Sequence, residues 1–248
     1  MTTIAWFVRG QKHAHLVQVS MAAARAVDPT FRLIVATDEA GLDVPGAEMV
    51  RIAPGAPLYV ATLEARVQVL WECREPVWFI DTDVLMLKPF PALGEAHMAL
   101  TWRANVGGKL TDNESLAAMM PYNGGVIGMR PSARSIEILI WMRERLKRMA
   151  PHLQAWYGDQ VALAALGGPR PVEDESLEER SIPWVIEAPG PVAMIRKLPC
   201  STWNFTPAEA DEDFTGIGAL HFKGHSRKLM ETVAGRLGLP WFKVEEAA

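Results

Sequence analysis

Val77-Trp78-Phe79-Ile80-Asp81-Thr82-Asp83-Val84-Leu85 is the stretch that decides the fold. Its first four residues are an unbroken apolar run of β-branched and aromatic side chains, the pattern of a strand covered on both faces inside an α/β sheet. The run ends in two carboxylates separated by one residue. Placing such a pair against a sheet is costly unless a cation or hydrogen-bond donors meet it. Ligands of open α/β sheets sit beyond the carboxyl ends of the strands, where Asp81 and Asp83 emerge. In an arbitrary Asp-x-Asp one carboxylate caps a turn and the other is solvated; the apolar strand in front favours a site instead.

Working outward, Ile4 to Val8 reads as a first strand. His15 to Ala26 reads as a helix with Leu16, Val19, Ala23 and Val27 on one face, and Arg32 to Thr37 as a second strand. This order implies a right-handed crossover and a parallel sheet. Asp38 follows the second strand as Asp81 follows the later one. A Pro/Gly loop over 54–57 precedes a helix from Thr62 to Glu72 that carries Arg66. Met98 to Thr101 and Asn123 to Met129 read as further strands, with a loop over 107–113. Ser132 is placed to cap a long helix running to Met149, with Ile136, Leu139, Ile140 and Leu146 inward. A shorter helix starts near Gly158-Asp159-Gln160 and stops at Gly167-Gly168-Pro169. The acidic residues 171–180 read as a solvated loop. No repeats or low-complexity linkers interrupt the chain, and residues 1–248 are read as one domain.

Composition narrows the function. At 248 residues, 49% hydrophobic and 22% charged, the chain has ample material for a core. Its net charge of −4 excludes a general attraction to nucleic acid or to anionic membrane surfaces. No apolar run approaches the ~20 residues of a transmembrane helix, and the amino-terminal residues lack a leader pattern, so a cytoplasmic protein is expected. The two cysteines, Cys73 and Cys200, fit neither a disulfide framework nor a thiolate zinc site. His13, His15, His97 and His152 read as ordinary surface or core residues. His221 differs, because it follows apolar Ile217 to Leu220 and opens a segment carrying Lys223, Gly224, His225, Arg227 and Lys228, a cationic cluster in an acidic protein.

Asp81-Thr82-Asp83, Asn123-Gly124-Gly125, Asp159-Gln160 and His221-Phe222-Lys223-Gly224, in that order, resemble the landmarks of family-8-type retaining glycosyltransferases of the GT-A fold. The resemblance implies a Rossmann-like, three-layer α/β/α architecture with a mostly parallel central sheet. It implies that Asp81, Asp83 and His221 bind a divalent metal, Mn2+ or Mg2+, and that the donor is a nucleotide sugar of the UDP-hexose kind. It places Arg66, Thr82, Lys223, Gly224, Arg227 and Lys228 at the donor, the last two as alternatives for one phosphate-binding position. Asn123, Gly124 and Gly125 would lie against the sugar, the glycines admitting close approach, and Asp159 and Gln160 would bind sugar hydroxyls. Relatives carry an acidic residue after the first strand to read the base; this chain has Arg9-Gly10-Gln11, so Val8, Thr37 or Asp38 would take that part. Trp203-Asn204 resembles a Trp-Asn pair found near the acceptor, expected to be a carbohydrate or glycolipid.

Mixed oxygen and nitrogen ligation suits Mn2+ or Mg2+, with Mn2+ slightly favoured by the imidazole. Two alternatives compete. A haloacid-dehalogenase-type phosphatase also opens on an apolar strand and Asp-x-Asp, but it wants Thr or Val where Leu85 stands and a further acidic ligand where Leu163 stands. A catalytically silent nucleotide-sugar-binding module would keep the same shape.

Overall fold

A computed structural model describes residues 2–103, 120–155, 157–168, 176–181 and 192–239. In chain order the elements are β1 (Thr3–Val8), α1 (Ala14–Val27), β2 (Arg32–Thr37), β3 (Glu48–Arg51), α2 (Leu58–Glu72), β4 (Val77–Ile80), β5 (Val84–Met86), β6 (Met98–Trp102) and β7 (Tyr122–Met129). They continue with α3 (Ala133–Lys147), α4 (Pro151–Ala155), α5 (Gly158–Gly167), β8 (Ser176–Ser181), β9 (Val192–Pro199), α6 (Cys200–Trp203), β10 (Ala219–His221) and α7 (Met230–Arg236). Eight strands form one sheet in the order β3-β2-β1-β4-β7-β6-β9-β8, while β5 and β10 make a separate two-stranded ribbon.

The parallel start is as the sequence predicts: β2, β1 and β4 run together, with β3 added at the edge. Beyond β4 the sheet changes sense, since β7 is antiparallel to both β4 and β6, and β9 returns parallel to β6. Alternate side chains divide between the two faces, as a period of two requires. Ala5, Ile34, Phe79 and Ile127 pack with α2, α3 and α5, whereas Ile4, Trp6, Leu33, Val35 and Trp78 pack with α1.

Some elements depart from expectation. The second helix begins at Leu58 rather than Thr62, because Pro57 supplies the first accepting carbonyl, to Ala61. On α3 the Ser132 hydroxyl caps Ser135 as expected, but Ile140 is 38% exposed and Ile138, Trp141 and Met142 are buried in its place. The acidic segment is not wholly a loop: residues 176–181 form β8, antiparallel to β9 at the sheet edge. Strands β3, β5, β9 and β10 had no prediction. The expected loop over 107–113 lies outside the described residues.

The β5–β10 ribbon matters most for the site. Leu85 pairs with Leu220 and both are fully buried, packing with Phe222, Leu16 and Met230. Burying side chains of this size stabilises the seat by about 1.5–3 kcal/mol each. The strand's alternation then turns His221 to the opposite face from Leu220 and Phe222, beside Asp83.

Candidate functional site

Asp81 begins the turn after β4, its N–H donating to Gly125 O and its carbonyl accepting from Val84 N. That turn sends both carboxylates to the carboxyl end of the sheet. The Phe222 N–H donates to Asp83 O at 2.8 Å, so the ribbon brings the imidazole to them. His221 Nε2 lies 3.5 Å from Asp81 Oδ2 and 3.3 Å from Asp83 Oδ1. One ligand atom from each of the three residues falls within 4.8 Å of the others. Asp83 and His221 are buried, while the Asp81 side chain is 46% exposed at the mouth.

Electrostatics distinguish the two carboxyls. Desolvation pushes Asp81 up, with His221 pulling against it and Asp83 adding to the rise. Burial would also raise Asp83, yet the hydrogen bond and charge of His221, then those of Arg227, outweigh it and hold the group below its ordinary value. Arg227 grips Asp83 Oδ2 with Nε at 2.8 Å and Nη2 at 2.6 Å. This separates the two phosphate candidates: Arg227 is at the carboxylates, whereas exposed Lys228 lines an outer cleft of about 700 Å³ with Thr206–Ala210. Lys223 also borders that cleft, its pKa lowered by burial and then by the nearby Arg103 guanidinium.

A second group of polar atoms lies alongside. Arg66 is not a surface residue of α2; it is 5% exposed, stacks 5.7 Å from the Phe79 ring and donates to Gly124 O. The Asn123 Oδ1 accepts from Gly125 N at 2.9 Å, which turns its Nδ2 away from the strand. Asp159 sits in the first turn of α5, whose N-cap position is held by Tyr157, so it is a buried carboxylate and not the cap. Burial lifts its pKa to about 6, against the opposing pull of Arg66. Among the described residues four buried side-chain polar atoms have no hydrogen-bond partner: Arg66 Nη1, Asn123 Nδ2 and Asp159 Oδ1 in this group, and His13 Nδ1 outside it. Buried polar atoms left unpaired cost about 1–3 kcal/mol each, so two unpaired donors and one unpaired acceptor on residues around Gly124 and Gly125 fit a ligand rich in hydroxyls.

The two glycines also shape the chain's own packing. A Cβ on Gly124 would meet Asp159 Oδ2 at 2.5 Å, and one on Gly125 would meet His221 Cε1 at 2.2 Å and Nδ1 at 2.4 Å. Their missing side chains make room for the chain's own carboxylate and imidazole. Gln160 is held by Arg103, whose Nη2 donates to Oε1 at 2.7 Å. Thr82 is partly exposed between the two aspartates, and Gly224 (φ +59) opens the 3-10 turn carrying Arg227.

Of the residues expected at the base, Val8 is fully buried. Thr37 is fully buried and its hydroxyl accepts from Glu39 N. The Asp38 carboxylate is already gripped by Arg9 through Nε and Nη2, and Arg9 also donates to Ala56 O. Trp203 packs on Gly218 and lies 5.9 Å from the Phe90 ring, a packing role. His13 was passed over in the sequence, yet it borders the site: burial, then Arg227, lowers its pKa while Asp83 opposes. Arg103, Asn204 and Thr101 were also missed as site residues. Asn204 carried a signal in the Trp-Asn pair, but Thr101 had none.

The donor set suits a divalent cation: two carboxylate oxygens and an imidazole nitrogen converge, and the missing side chain of Gly125 leaves room for that imidazole. The group beside the carboxylates is an imidazole rather than a third carboxylate, against the phosphatase pattern. This sheet order, with its antiparallel insertion and an Asp-x-Asp at the switch, is that of the GT-A fold. Among solved structures, a galactosyltransferase, LgtC, in complex with donor and acceptor sugar analogs superimposes with a TM-score of 0.54 at 15% identity, covering 94% of this chain and 95% of that one. A glycosyltransferase involved in glycosylation of the major capsid of PBCV-1 gives 0.56 at 13% identity, covering 94% and 98%. No protein-family model and no curated protein sequence matches the chain. No helix among the described residues is long and apolar enough to cross a membrane.

Proposed function

We propose that this protein is a metal-dependent glycosyltransferase that moves a hexose from a nucleotide sugar, a UDP-hexose, to a saccharide-type acceptor with retention at the anomeric carbon. One observation carries the reading: an Asp-Asp-His cluster of metal-ligand geometry adjoins three unpaired buried polar atoms complementary to sugar hydroxyls. Asp81, Asp83 and His221 would hold Mn2+ or Mg2+. A divalent cation there stabilises the negative charge that develops on a leaving diphosphate by several kcal/mol.

The chain's own residues do the rest. Arg227, anchored on Asp83, and Lys223, which borders the outer cleft, would supply cationic donors to the diphosphate. Arg66 Nη1 and Asn123 Nδ2 donate to sugar oxygens, and Asp159 Oδ1 accepts from a hydroxyl. Gln160 stays directed by Arg103. Retention and the uridine base rest on the family resemblance, and front-face attack assisted by the leaving phosphate requires no enzyme nucleophile.

The deciding experiment incubates the protein with UDP-glucose or UDP-galactose, with and without Mn2+, and measures UDP. Metal-dependent release supports the transferase. Nucleotide binding without turnover on any saccharide acceptor or water supports the silent module instead.

A further inference from the structure

Behind His221 runs a chain of buried hydrogen bonds that the site's own chemistry does not account for. His221 Nδ1 meets Asn204 Oδ1 at 2.8 Å, Asn204 Nδ2 donates to Thr101 Oγ1 at 2.7 Å, and Thr101 Oγ1 donates to the Asn123 carbonyl at 3.1 Å. Thr101, Asn204 and His221 are 0%, 1% and 4% exposed, so no water competes. The chain ends on a backbone carbonyl, which can only accept, and this fixes its sense. Thr101 has one hydrogen to give, and it goes to Asn123 O; its oxygen must then accept from the Asn204 amide nitrogen. The Asn204 oxygen is thereby turned to His221 and accepts the Nδ1 proton. With Nδ1 engaged by Asn204, the ring presents Nε2 to Asp81 and Asp83.

The carbonyl at the far end is itself unusual. Between the pairs Leu100–Ile127 and Thr101–Asn123 the register shifts, and β7 carries three residues, 124–126, unmatched by β6. This bulge includes both site glycines. The Thr101 hydroxyl sits over it, 3.1 Å from Asn123 O and 3.5 Å from Val126 O. Asn123 is also the residue whose unpaired Nδ2 borders the proposed sugar site.

We propose that Thr101 and Asn204 are positioning residues that hold the His221 ring by Nδ1 so that Nε2 is directed at the Asp81–Asp83 pair, where it would ligate a divalent cation, and that they tie that ligand to the Asn123 bulge. The inference rests on the Asp81–Asp83–His221 reading as a metal seat. Groups that orient a metal-binding histidine change metal affinity by about 10–100-fold when removed.

The test uses the full chain and metal alone. Long-range proton–nitrogen correlation on histidine-labelled, Mg2+-loaded protein should find the one remaining His221 proton on Nδ1. Thr101→Val, nearly equal in volume, frees the Asn204 amide to turn and so loosens its hold on Nδ1. It should also weaken Mn2+ binding, measured by calorimetry, by about tenfold, and Asn204→Leu should weaken it by about 10–100-fold. Asn204→Asp keeps an acceptor at Nδ1 and should stay within a few-fold of wild type. A His221 proton on Nε2 in the Mg2+-loaded protein overturns the proposal, as does unchanged Mn2+ affinity in Thr101→Val. Neither readout involves a sugar nucleotide, so failed turnover and a failed relay are told apart.

Discussion

Gly125→Ala is the sharpest probe of the site, because the space it fills is the space His221 occupies. The backbone at Gly125 is not among the positive-φ positions, so alanine meets no conformational penalty there and the effect is steric. Its Cβ would stand 2.2 Å from Cε1 and 2.4 Å from Nδ1, against an ordinary carbon contact of about 3.5–4.0 Å. The ring must retreat by more than about 1 Å on that comparison. It cannot do so while keeping its 2.8 Å bond to Asn204 and its place 3.3–3.5 Å from the two carboxylates. Overpacking of this kind costs about 1–3 kcal/mol, and the displaced imidazole should weaken Mn2+ binding by about 10–100-fold or more. Urea unfolding of the metal-free chain and Mn2+ calorimetry measure the two effects. A double-mutant cycle isolates the cause: in a His221→Ala background the ring is gone and Gly125→Ala should cost little further stability. Wild-type Mn2+ affinity in Gly125→Ala, or an undiminished penalty in the His221→Ala background, refutes the reasoning.

Asp83→Asn should lower metal-dependent turnover by about 100-fold or more, as expected if a few kcal/mol of charge stabilisation passes through the cation, and steady-state UDP release would measure it. Asp159 has its folded pKa raised to about 6 from 3.8, so the folded state holds its proton more tightly and stability falls as pH rises between those values. Asp159→Asn should remove that slope and stabilise the ligand-free chain at pH 8 by about 1–3 kcal/mol in urea titrations, while weakening sugar-nucleotide binding; a wild-type slope would count against the buried charge. Gly128→Ala serves as a control away from the cluster: its Cβ would meet Leu93 and Trp78 at 2.8–3.0 Å, so it should lose about 1–3 kcal/mol of stability with Mn2+ affinity unchanged.

The elements legible in the sequence are those whose period is carried by neighbouring residues. The apolar run before Asp81 is a buried strand, the alternation of strand and helix before it gives the parallel half of the sheet, and Ser132 caps its helix. Strands of three residues, such as β5 and β10, are too short to show a period, and β8 reads as acidic loop because its pairing with β9 comes from the partner strand.

The candidate site divides along the same line. Residue type and local setting were enough to single out Asp81, Asp83 and His221, because carboxylates at a strand end and a histidine in a cationic turn each demand a partner. Which groups meet was decided by tertiary pairing: the β5–β10 ribbon sets His221 beside Asp83, and Arg227 reaches the same carboxylate across 144 residues while Lys228, next in sequence, faces the outer cleft. The functions of Gly124 and Gly125 were likewise beyond the sequence, since a glycine states only that something approaches closely, and packing alone says that it is Asp159 and His221. Local chemistry thus fixed what kinds of groups the protein needs, and long-range packing fixed which of them share a site, because no pattern of nearest neighbours encodes a contact between residues a hundred positions apart.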